Sequence, residues 1–123
     1  MKIYKIATME ETLTSPEYRR GDCFYNVIKW AMNNPEAEFA MIVHGKVTNH
    51  NNERLDHAWI EQDNEVIDPT VGAQLDKIRF YSITKAEADA KYTTQQTLIN
   101  AARNKHGGPW TKAEVRSNYL FYI

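Results

Sequence analysis

The chain has 123 residues, 42% of them hydrophobic and 25% charged, and a net charge of −1. That length suits a single domain, residues 1–123, with room for a core that needs no disulfide or metal. The near-neutral charge gives no electrostatic grip on nucleic acid or an anionic membrane. No run approaches the ~20 apolar residues that span a bilayer, and the N-terminal apolar run is too short for a signal peptide. The one cysteine, Cys23, forms no internal disulfide, and a free thiol suits a reducing cytoplasm.

Ile3 and Ile6 alternate with lysines and predict a short edge strand over residues 2–7. Residues 8–21 are polar, are broken by Ser15-Pro16, and read as a loop. Asp22 is the expected N-cap of a helix from Cys23 to about Asn33. Its wide stripe of Phe24, Val27, Ile28 and Ala31 marks a central helix, stopped by Asn33-Asn34-Pro35. Residues 39–48 read as a strand long enough to be central, and the Asn-rich stretch 49–54 as a turn.

A hairpin follows, His57–Gln62 and Glu65–Asp68 around Asp63-Asn64, ended by Pro69, which has no N–H for a ladder. A two-residue turn pairs Gln62 with Glu65, Ile60 with Ile67, Trp59 with Asp68 and His57 with Thr70. Side-chain alternation then puts His57, Trp59, Asp68 and Thr70 on one face and Ala58, Ile60 and Ile67 on the other. Residues 69–77 read as a loop and 78–83, with Phe80 and Tyr81, as a strand. Thr84…Glu87, Thr93…Gln96 and Thr111…Glu114 each fit a capping box and predict three helix starts. The apolar tail, residues 119–123, is fit to dock. The whole predicts an α+β domain: a helix bearing Cys23, an antiparallel sheet, then C-terminal helices.

On this register Asp68 is the diagonal neighbour of His57, within reach of an imidazole N–H. A thiol attacks as thiolate, a form that the first turn of a helix and a nearby imidazolium both favour. Cys23 is thus a candidate nucleophile, His57 its base and acid, and Asp68 the group that fixes the His57 tautomer. Backbone N–H groups at the helix start are candidates to hold an oxyanion. Each residue also has a plainer reading: a small core cysteine, a hydrogen-bonded histidine, a turn-forming Asp-Pro. Their conjunction favours chemistry.

Gly-Asp-Cys23-Phe at a helix start, His57-Ala-Trp-Ile-Glu and Val-Ile-Asp68-Pro-Thr together resemble the transglutaminase-like branch of the papain-like cysteine enzymes. The resemblance covers about residues 18–83. It implies a papain-like core, with Cys on a helix followed by His and Asp on successive strands. It also implies a hydrolase or acyl transferase that acts on an amide or ester of a peptide, protein or small molecule and needs no cofactor. Papain-like peptidases place a Gln shortly before the Cys, whereas residues 10–22 contain none. Tyr18, Arg19, Arg20 and Asn26 are the candidates to assist the backbone there. Trp59 is a candidate cleft wall, while Trp30 and Trp110 suit core or cleft. The alternative is a non-catalytic binding or regulatory module that keeps the fold. His44 and His50 lack metal-ligand spacing and read as surface histidines. Glu61 and Glu65 read as solvent-facing or cross-strand charges.

Overall fold

The computed structural model describes residues 22–119 apart from 50 and 71; the strand expected over 2–7, the loop 8–21 and the tail beyond 119 lie outside them. The described elements, in chain order, are helix α1 (Cys23–Asn33), strands β1 (Met41–Thr48), β2 (Arg54–Gln62), β3 (Glu65–Asp68) and β4 (Ala73–Asp76), helix α2 (Lys77–Thr84), strand β5 (Glu87–Thr93), and helices α3 (Thr94–Asn104) and α4 (Lys112–Tyr119). The five strands form one antiparallel sheet in the order β4-β3-β2-β1-β5. The class is α+β.

Helices cover both faces of the sheet, so its middle strands are apolar on both sides. Val27, Trp30 and Ala31 of α1 pack on Ile42, Ala58, Ile60 and Ile67, with Leu98 of α3 against the same cluster. On the opposite face Phe80 of α2 packs with Val43, Val47, Trp59, Val66 and Leu75. The hairpin register is Gln62–Glu65, Glu61–Val66 and Ile60–Ile67. The turn residues Asp63 and Asn64 both have positive φ, as a two-residue hairpin turn of this hand requires. Pairing with β3 stops after Ile60–Ile67, so the expected Trp59–Asp68 and His57–Thr70 pairs do not form. At that point β3 turns away: Asp68 pairs with Ala73 of β4, and the Asp68 carboxylate accepts the Thr70 N–H at 3.1 Å.

Several elements differ from the sequence reading. The 69–77 loop contains β4. The strand expected at 78–83 is helix α2, because Asp76 caps it, accepting the Ile78 N–H at 2.8 Å. Phe80 and Thr84, four apart, then share the buried face, while Ile78 points to solvent. The helix expected from Thr84 is β5. The Thr84 hydroxyl donates to the Phe80 carbonyl and closes α2, while the Ala-rich segment after it supplies the second partner that β1 requires. Its helix propensity gives way to the ladder. The other two capping boxes form: Thr93 with Gln96, and Thr111 with Glu114. Asp22, expected as a cap, makes no side-chain cap bond. The central strand begins at Met41, leaving Phe39 exposed in the preceding turn.

Gly45 lies opposite His57 in the β1–β2 ladder, beside a register shift against β5 that leaves Asp89 as the extra residue. A Cβ at Gly45 would meet the Glu87 carbonyl oxygen at 2.1 Å and the Trp59 ring at 2.8 Å. Backbone and a fully buried indole cannot yield cheaply. Gly45→Ala is expected to lower the unfolding free energy by about 2 kcal/mol or more, the usual scale for overpacking. Urea denaturation checks this, and an effect near zero would mean that the sheet accommodates a methyl group there.

Candidate active site

Cys23 opens α1, and α1 lies on the Ile60 face of the sheet. His57 belongs by alternation to the opposite, Trp59 face. The two residues meet at the parting of β2 and β3. There Asn26 of α1 donates to the Thr70 hydroxyl at 3.2 Å, which ties the helix start to the turn after β3. The His57 Nε2 lies 2.7 Å from the Asp68 Oδ2, and the His57 side chain also hydrogen-bonds with Cys23. The second Asp68 oxygen takes the Thr70 N–H, so both carboxylate oxygens are occupied.

Cys23, His57 and Asp68 are each only 1% exposed. Burial by itself disfavours a charged imidazole, but the Asp68 carboxylate and the Cys23 sulfur outweigh it and raise His57 to about 10. The fold therefore favours a protonated His57 between an anion and a sulfur atom.

Among the other candidates, Asn26 is committed to Thr70. Tyr18, Arg19 and Arg20 lie outside the described residues. Trp59, expected at a cleft wall, is fully buried; its indole stacks beside His57 at 6.0 Å between ring centroids, and its N–H donates to Glu61 at 3.0 Å. Glu61 itself is a correction: it is buried rather than solvent-facing. It accepts from Trp59, from the Tyr81 hydroxyl and from Lys91 at 2.9 Å, with Lys77 3.3 Å away. Burial pushes the Glu61 pKa up, but the hydrogen bonds from Tyr81, Trp59 and Lys91 more than offset it and hold it below the usual range. Glu61 thus anchors the indole that backs His57. Its parity was the available signal, since residues 57, 59 and 61 share a face.

His44, read as a surface histidine, is also buried, packed against Phe24, Tyr92 and Trp110, and neither ring nitrogen has a hydrogen-bond partner among the described residues. Among the described residues no group of three His, Cys, Asp or Glu side chains is placed to hold a metal. None of the described helices is long and apolar enough to cross a membrane. Comparisons with protein-family models, curated proteins and solved structures find no match.

Burial lowers His44 from 6.5 to about 4. The unfolded chain then binds a proton that the folded protein does not, so stability should fall as pH drops from 6.5 toward 4. The difference between those values corresponds to about 3 kcal/mol. His44→Phe should remove that much of the acid sensitivity. Urea melts of both proteins across this range measure it; parallel curves would show that His44 carries no such linkage.

Proposed function

We propose that this protein is a cysteine-dependent hydrolase or acyl transferase with a papain-like, transglutaminase-like core, acting on an amide or ester. The observation that carries the reading is the buried His57–Asp68 contact at 2.7 Å with Cys23 bonded to the same imidazole. In this mechanism the thiol proton resides on His57, and Cys23 Sγ attacks the substrate carbonyl carbon. The oxyanion is held by first-turn N–H groups of α1, which the Asp22 side chain leaves uncapped. His57 returns its proton to the departing amine or alcohol, leaving a thioester on Cys23. Water or a second nucleophile, deprotonated by His57, then attacks the thioester and releases the thiol. Asp68 holds the imidazole by Nε2 throughout. A free, reactive thiol accords with a reducing compartment such as the cytoplasm.

The near-complete burial of all three side chains favours a second reading, a non-catalytic binding or regulatory module in which the group is structural. The two readings differ in thiol chemistry. For the enzyme, Cys23 in the folded protein should react with iodoacetamide at neutral pH faster than a free thiol, and His57→Ala should slow it at least tenfold, since it loses its proton acceptor. An alkylation rate indifferent to His57 in a folded variant would support the module.

Turnover of a panel of small amides, esters and thioesters tests the assignment of roles, with circular dichroism as the folding control. Cys23→Ala should abolish activity, and His57→Ala nearly so. Asp68→Asn should leave a measurable remainder. The matching change in a serine-protease triad costs about four orders of magnitude, and a nucleophile already sharing its proton with His57 leans less on the third member. Full activity in folded Cys23→Ala would exclude the mechanism.

A further inference from the structure

On the side of the sheet opposite His57, a cleft of about 770 Å³ lies between β1, β5 and the segment 109–116. Its inner end holds His44, whose two ring nitrogens are buried with no hydrogen-bond partner among the described residues. A buried imidazole without partners is costly, because each nitrogen has given up water. The walls beside it are aromatic: Tyr92 and Trp110, with ring centroids 5.2 and 4.9 Å from that of His44. The mouth carries excess positive charge. Lys46 is matched by Asp89 at 2.9 Å and Asp56 at 3.8 Å, and Lys91 by Glu61. Lys112 and Arg116, one turn apart on α4, line the same cleft and have no carboxylate partner among the described residues. The Thr111–Glu114 capping box fixes the start of that helix and so the place of both cations.

We propose that this cleft binds a small hydroxyaryl carboxylate, with its hydroxyl on His44, its ring against Tyr92 and Trp110, and its carboxylate on Lys112 and Arg116. A neutral imidazole offers one acceptor and one donor, and a phenolic hydroxyl complements either. The aromatic walls suit a flat ring, and the two cations suit a single anion. In that complex the hydroxyl supplies the hydrogen bond that the imidazole lacks among the described residues. None of Cys23, His57 and Asp68 lines this cleft, and binding there does not depend on their activity.

Titration calorimetry of the full chain with 3-(4-hydroxyphenyl)propionate tests the assignment. Its partners are 3-phenylpropionate, which lacks the hydroxyl, and tyramine, which replaces the anion with a cation. The hydroxy acid should bind at millimolar concentration or below, and its deoxy counterpart about tenfold more weakly, the scale of one buried hydrogen bond. In His44→Phe the two acids should bind alike. The double variant Lys112→Gln/Arg116→Gln should weaken both acids. Should His44→Phe fail to fold, the comparison of the two acids on the unaltered protein still decides the role of the hydroxyl. Three outcomes would overturn the proposal: no heat with the hydroxy acid at millimolar concentration, equal affinity for the two acids on the unaltered protein, or tyramine bound more tightly than the acid.

Discussion

The eight-pair ladder between β1 and β2 is the constraint on which the other parts depend. It is the longest pairing in the sheet, and its middle is buried on both faces. It places Val43 beside Trp59 on one face and Ile42 beside Ile60 on the other, and so decides which helix packs where. It also sets His44 and His57 on opposite sides, because Gly45 rather than His44 stands across from His57. A slip of one residue would set His44 across from His57 on the same face and turn one strand's buried side chains to the wrong side. Gly45 protects this register: it is the one point in the ladder where a neighbouring strand and a tryptophan approach too closely for a side chain.

The candidate site exists because one ladder ends early. β2 and β3 separate after three pairs, and the start of α1 is tied to the turn after β3, where the strands diverge. That arrangement lets a residue from a helix on one face reach an imidazole that alternation assigns to the other. The imidazole is held from two directions. Asp68 grips Nε2, and Trp59, pinned through its indole N–H by Glu61, backs the ring. Glu61 in turn collects donors from α2 and β5, so elements at both edges of the sheet contribute to the placement of one ring. Buried carboxylates of this kind are stable only when their oxygens are fully engaged, and both Asp68 and Glu61 meet that condition.

Much of this was legible in the sequence where local rules operate. The span of α1, the two-residue turn at Asp63-Asn64, the hairpin pairs from that turn to Ile60–Ile67 and the boxes at Thr93 and Thr111 depend on residues within a few positions of one another, and those short-range preferences prevailed. From the register alone, His57 and Asp68 could be set close together. The failures share a different cause. Residues 78–83 carry the bulky aromatic composition of a strand, yet one capping carboxylate at Asp76 and the need for Phe80 to cover Trp59 make them a helix. Residues 86–90 have the composition of a helix, yet the open edge of β1 draws them into the sheet.

By itself, then, the sequence determined the α+β class, the Cys-bearing helix and the hairpin that puts a carboxylate within reach of an imidazole, because periodicity and turn chemistry act over a few residues. Only the tertiary structure decided that β2 and β3 part at Ile60–Ile67, that Cys23 meets His57 from the other side of the sheet, that Glu61 is an anchor rather than a surface charge, and that His44 is buried among aromatic rings. Each of those outcomes depends on which elements cover which face. That is settled by the packing of residues far apart in the chain, where burial outweighs local preference.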